Sequence, residues 1–193
     1  GIHAAHRVGL IHRDVKPGNI MVEKTEDGGF HPYIMDFGLV REAEAKGITM
    51  TGIIIGTPGY MAPEQAWNDD KHPLDRRADI YSLGATLYEL VAGRPPYDGT
   101  NSIEIIKHMV EKDPISLHHR MPNVPGELET IVMKCLEREP HRRYDSARAF
   151  AEDLGRFLDG EPILARRATI SYRLAKKARK HKAMTATVAL FSI

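Results

Sequence analysis

Apolar side chains at Ile80, Leu83, Leu87, Leu90 and Val91 recur on one face of a 3.6-residue period, and Gly93 stands where a helix would stop. This is the clearest helix in the chain, and Asp79 near its start suits the positive end of the helix dipole. A second helix is predicted from Asn101, with Glu104 three residues on in capping-box spacing and Ile103, Ile106 and Val110 apolar. A third is predicted over Pro125 to Glu137, carrying Leu128, Ile131, Val132 and Leu136. A fourth runs from Ser146 to Leu158, closed by Gly160 and Pro162. At the other end Ile2, Ala5, Val8, Leu10 and Ile11 have the spacing of a helix that runs into an extended turn. Between these, Ile20-Met21-Val22 and Tyr33-Ile34-Met35 are short β-prone runs separated by Asp27-Gly28-Gly29, which predicts a hairpin. Residues 39 to 55 keep no period and read as a loop that ends in the turn formers Gly56-Thr57-Pro58-Gly59-Tyr60. The expected class is α+β, a small hairpin set on a mainly helical body, without internal repeats.

Composition adds one domain's worth of core: 193 residues, 42% of them hydrophobic. The formal net charge of +1 conceals an asymmetry. No Asp or Glu follows Glu161, while Arg166, Arg167, Arg173, Lys176, Lys177, Arg179, Lys180 and Lys182 do, so the body to residue 161 is acidic and the tail basic. From Ala183 to Ile193 no charge occurs. Eleven residues are short of the roughly twenty that span a bilayer, but a basic run entering an apolar one has the layout of a juxtamembrane linker and the start of a transmembrane helix. The positive-inside rule then places the body in the cytoplasm of a single-pass cell-membrane protein. The same apolar continuation argues against a nucleic-acid partner for the basic run. The expected segments are therefore 1–161, 162–182 and 183–193. The single cysteine, Cys135, rules out an internal disulfide and falls in an apolar helical pattern, as a buried structural thiol would. Ten histidines show no ligand spacing joined to cysteine, and His118 and His119 are adjacent, so their side chains diverge; a zinc site is not expected.

The chemistry concentrates in His12-Arg13-Asp14-Val15-Lys16-Pro17-Gly18-Asn19 and in Asp36-Phe37-Gly38. Asp14, Asn19 and Asp36 offer oxygen donors and Lys16 an ammonium, the inventory that handling a nucleotide's phosphates requires. The hairpin would bring Asn19 and Asp36 together.

The runs HRDVKPGNI, MDFG and GTPGYMAPE resemble, in order and spacing, the catalytic loop, metal-binding triplet and end of the activation segment of eukaryotic-type serine/threonine protein kinases. Lys16, two residues after the aspartate, is the serine/threonine form. The resemblance covers about residues 1–160 and is closest to bacterial receptor-like kinases, whose layout of kinase, basic linker and membrane helix it shares. It implies a protein-kinase-like fold reduced to its mainly helical C-terminal lobe, with the N-terminal lobe missing and this fragment inactive alone. It implies ATP and Mg²⁺, with Mn²⁺ as an alternative, and protein substrates bearing serine or threonine. By that resemblance Asp14 is the catalytic base. Lys16 sits on the transferring phosphate, and Asn19 and Asp36 hold the metal and its nucleotide. Thr57 holds Asp14 and Lys16 and lines the substrate groove. Arg13 would pair with a phosphate on the activation loop, and Thr49 and Thr51 are the expected autophosphorylation sites. His12, Phe37 and Gly38 brace the loop, Glu64 pairs with Arg143, and Asp79 bonds catalytic-loop amides. A kinase homodimer is a further expected partner. One rival is a small-molecule phosphotransferase with the same Asp and Asn spacing, against which GTPGYMAPE, Arg13 and Arg143 count. The other is a pseudokinase or scaffold lobe, against which the intact Asp14, Lys16, Asn19 and Asp36 count.

Overall fold

A computed structural model describes residues 1–37, 58–67 and 73–166. Among the described residues there are two strands, seven α-helices and three short 3-10 turns, and α3 (Arg77–Ala92) is the axis on which the others are packed. Tyr81, Ala85 and Tyr88 on one side of α3 meet Met109, Leu117, Val132 and Leu136 from α4 (Ser102–Glu111), α5 (Leu117–Arg120) and α6 (Gly126–Cys135) with its C-cap. Ile80, elsewhere on α3, packs with Ile131, Cys135, Tyr144, Phe150 and Ile163. A helix buried around most of its circumference lies at the centre of a lobe rather than on its face. Gly84 permits the closest contact: a Cβ there would stand 2.3 Å from that of Cys135, so α3 and α6 approach as only glycine allows. Cys135 is fully buried, and burial pushes its thiol well above the usual range.

Local chemistry explains the helix ends. α3 begins two residues before Asp79, because the Asp75 carboxylate accepts the Arg77 N–H at 2.7 Å and caps the first turn. It ends at Gly93 in the left-handed conformation, φ 73°. The Asn101 side chain caps α4 by accepting the Glu104 N–H at 2.9 Å, while Glu104 reaches back one residue further, to the Thr100 N–H at 2.8 Å. That bond and a second from the Thr100 hydroxyl at 2.7 Å hold the Glu104 carboxyl below its ordinary range. Ser146 caps α7 (Ala147–Leu158) through the Ala149 N–H. α6 is shorter at both ends than the apolar pattern from Pro125 to Glu137. α2 (Pro63–Trp67) and α5 have five and four residues, too few for a period to announce them.

The hairpin pairs β1 (Ile20–Lys24) with β2 (Phe30–Ile34) antiparallel, Ile20 opposite Ile34. Both strands extend toward the turn beyond the apolar runs, taking in Glu23, Lys24, Phe30 and His31, which the largely exposed ribbon accommodates. Gly28, φ 83°, makes the turn. Ile2, Val15 and Ala147, packed with Ile20, Ile34 and Leu83, join the hairpin and α1 (Ile2–Arg7) to the helical body.

After α7 the chain reverses at Gly160, φ 68°, and Ile163 enters the core at 0% exposure. The buried Asp153 carboxylate receives the N–H groups of Leu164 and Ala165, at 2.5 and 2.8 Å, and the Tyr144 hydroxyl at 2.8 Å. The folded lobe therefore includes this strap. Replacing Ile163 with alanine is expected to lower stability by about 2–5 kcal/mol in a denaturant titration, the range for truncating a fully buried isoleucine; a change under about 0.5 kcal/mol would mean that the strap is not part of the cooperative unit.

Among the described residues no helix is long and apolar enough to cross a membrane. The segment 183–193 expected to begin one, and most of the basic run, lie outside the described residues.

Candidate active site

The loop between α1 and the hairpin is held from beneath by one carboxylate. Asp79, fully buried on α3, accepts the His12 N–H through Oδ2 at 2.8 Å and the Arg13 N–H through Oδ1 at 2.7 Å. His6 Nε2 on α1 adds a third contact to Oδ2 at 2.8 Å. No motif marks this histidine, and its only sequence signal is a polar residue next to the end of a short helix. Arg13 itself has φ 68°, a left-handed conformation that costs a non-glycine residue about 1–2 kcal/mol and persists only where surrounding contacts fix it.

His12 is buried and works as a brace. Its Nδ1 accepts the Asp14 N–H at 3.3 Å, so Nε2 carries the proton and donates it to the Met35 carbonyl at 2.9 Å. Its ring lies 4.7 Å from that of Phe37. Val15, 1% exposed, points the other way into the core, which leaves the side chains of Asp14 and Lys16 on the open side.

There the functional groups converge on one oxygen. Asp14 Oδ2 takes the Lys16 ammonium at 2.8 Å and the Asn19 amide nitrogen at 3.1 Å, and the same Asn19 nitrogen donates to the Asp14 carbonyl at 2.8 Å. Both contacts of the Asn19 nitrogen are to oxygen acceptors, which fixes the amide orientation and leaves Asn19 Oδ1 for a ligand. The Asp14 side chain keeps 31% of its surface exposed, enough for an incoming hydroxyl to reach it. The Met35 N–H bonds the Asn19 carbonyl at 2.9 Å, continuing the strand register by one pair, so Asp36 follows directly after the residue facing Asn19. Asp36 also has a positive φ, 56°. Two non-glycine residues in the left-handed region, one beside Asp14 and one at Asp36, mark the place where the backbone is bent against its preference.

The second wall is the segment entering α2. The Ser82 hydroxyl donates to the Tyr60 carbonyl at 2.8 Å, and the Tyr60 hydroxyl donates to Glu89. Burial, with the Glu89 carboxylate beside it, pushes the Tyr60 phenol well above its usual range. Glu64 forms a two-toothed pair with Arg143, at 2.6 and 2.8 Å, with 1% and 0% of their side chains exposed. Gln65 links this wall to the loop: its Nε2 donates to the Arg13 carbonyl at 2.9 Å and its Oε1 accepts the Ala62 N–H at 3.0 Å. Of the residues singled out in the sequence, Gly38, Thr49, Thr51 and Thr57 lie outside the described residues.

A hairpin base carrying Asn19 and Asp36, a braced loop carrying Asp14 and Lys16, and an ion-paired segment on a helical body define the helical lobe of a protein-kinase-like fold. The family model for the protein kinase domain matches residues 1–154. The chain belongs to the protein kinase domain family. It is 39% identical over 163 residues to serine/threonine-protein kinase PknB of Mycobacterium tuberculosis, covering 83% of this chain and 25% of that protein. It is 38% identical over 162 residues to PknB of Mycobacterium leprae, with the same coverage. With serine/threonine-protein kinase PkaA of Streptomyces coelicolor the figures are 37% over 167 residues, 86% of this chain and 29% of the relative. The chain thus spans about a quarter of the length of the curated relatives it matches.

Proposed function

We propose that this lobe serves a serine/threonine protein kinase that transfers the γ-phosphoryl group of ATP to a protein hydroxyl. The observation that carries the reading is the convergence of Lys16 and Asn19 on the Asp14 carboxylate, within a chain of this family. Asp14 is suited to accept the proton of a serine or threonine hydroxyl while that oxygen bonds phosphorus and the bond from phosphorus to the ADP oxygen breaks. Lys16, within reach of the same carboxylate, can move onto the transferring group as charge develops there. Asn19 Oδ1 and the Asp36 carboxylate are hard oxygen donors at the hairpin base, and this donor set fits Mg²⁺, with Mn²⁺ as a substitute. When bound, the metal would offset negative charge on the phosphate oxygens.

Thr57 would line the substrate groove. Arg13, one residue from the base, would receive a phosphate added to Thr49 or Thr51. The basic run to Lys182 would rest on anionic lipid at about 1 kcal/mol per basic residue near the surface, tethering a cytoplasmic lobe through 183–193.

The metal site can be tested apart from turnover. Asp36→Asn in the full-length protein is expected to weaken Mg²⁺-dependent binding of a fluorescent ATP analogue at least about tenfold, since it removes the anionic ligand. Binding without the metal should change little. Equal metal dependence in wild type and variant would remove Asp36 from the ligand set.

A further inference from the structure

Arg13 presents an unusual demand. It adopts a left-handed backbone immediately before Asp14, so the direction of the Asp14 side chain depends on how firmly the Arg13 peptide is held. Its N–H is held from α3 by Asp79. Its carbonyl is held from the opposite wall by Gln65 Nε2.

We propose that Gln65 is a positioning residue for phosphoryl transfer: it ties the wall that would receive the substrate to the backbone that aims Asp14, so that the two are set together. The inference rests on the kinase reading above and goes beyond it, since none of the motifs or relatives assigns this side chain a task.

The chemistry requires an amide. Gln65 is the third residue of α2, after Ala62 at the cap and Pro63 at the first helical position. From there its Oε1 reaches back to the Ala62 N–H, one half of a capping box, a task that a glutamate carboxylate does equally well. The Arg13 carbonyl, however, needs a donor, and an ionised carboxylate has none. Glutamine serves both ends at once. A purely structural cap and a positioning link therefore predict opposite results for one conservative change, Gln65→Glu. The link also lies between residues 52 apart in sequence, and one of the two is strained. Losing it leaves the peptide between Arg13 and Asp14 held only by the longer Asp14 N–H bond to His12 Nδ1, at 3.3 Å, so that the Asp14 carboxylate, with Lys16 and Asn19 bonded to it, can shift from the line of an incoming hydroxyl.

The test uses full-length protein with ATP and a serine-containing protein substrate, comparing wild type, Gln65→Glu and Gln65→Met. At neutral pH both variants are expected to lose about tenfold or more in kcat, as a misplaced catalytic group does, with the KM for ATP unchanged. The melting temperature of Gln65→Glu should stay at or above that of Gln65→Met, because the cap is kept in the first and lost in the second. The deficit of Gln65→Glu relative to wild type should narrow as pH falls toward the carboxyl's own pKa of about 4.3, because the protonated acid can again donate to Arg13. That of Gln65→Met should not narrow. Wild-type kcat in Gln65→Glu at neutral pH, or equal pH dependence of the two variants, overturns the role of Gln65 alone. A wild-type protein that transfers no phosphoryl group overturns the kinase reading and this role with it.

Discussion

Asp14→Asn is expected to remove about 10²–10⁴-fold of kcat, the contribution of a positioned general base, while leaving nucleotide affinity and fold in place. The variant is informative because its side chain is nearly the same shape. The new amide oxygen can still accept from Lys16 or Asn19, which now meet on Asp14 Oδ2 at 2.8 and 3.1 Å, so the local hydrogen bonds need little rearrangement. What disappears is the capacity to take a proton. Single-turnover transfer measured beside titration with a fluorescent ATP analogue separates the two quantities. A variant within about threefold of wild-type turnover would mean that proton acceptance at residue 14 is not a step of the reaction, and weakened nucleotide binding would mean that Asp14 serves the nucleotide instead.

The second large effect concerns the wall. Arg143→Met is expected to destabilise the lobe by about 3–5 kcal/mol, the cost of leaving one member of a buried ion pair unpaired. All five guanidinium N–H groups are used. Two go to Glu64, and the others to the carbonyls of Glu137, Arg77 and Arg138, at 2.7, 3.0 and 2.9 Å. The guanidinium also lies 4.9 Å from the Tyr81 ring centre. The change leaves a carboxylate with 1% exposure and three carbonyls without their donor. For a chain of this size that lowers Tm by roughly 6–20 °C. Arg143→Lys should recover little, because a lysine has three donors and no fork. Glu64→Leu combined with Arg143→Met should recover more than either single change, since the pair is then removed whole. A Tm drop under about 3 °C for Arg143→Met would mean that the pair is already solvated in solution.

The sequence made the long elements legible because their periods and caps agree. α3, α4 and α7 were readable from apolar spacing together with Gly93, Asn101 and Ser146, each a local signal that the backbone obeys. Motifs also marked Asp14, Lys16, Asn19 and Asp36, and the register from Ile20 opposite Ile34 gives the physical reason that two of them come from one hairpin base. Other features were invisible for reasons equally physical. α2 and α5 are shorter than the window in which a period can be counted. The start of α3 was set by Asp75 and not by Asp79, whose bonds to the catalytic-loop amides were the part of its role that the resemblance did imply. His6 and Gln65 act through contacts 73 and 52 residues away in the chain, and no local pattern encodes a partner at that range. The docking of Ile163 was hidden by its position: it follows Gly160 and Pro162, which read as an ending, and only the buried Asp153 carboxylate shows that the chain turns back.

The most direct test of the kinase reading is to incubate full-length protein with Mg²⁺ and γ-labelled ATP and to identify the labelled amino acid after acid hydrolysis. The reading predicts phosphoserine or phosphothreonine in protein, absent when Mg²⁺ is chelated. Label found only in free phosphate or in a small molecule, or no label at all, would contradict it.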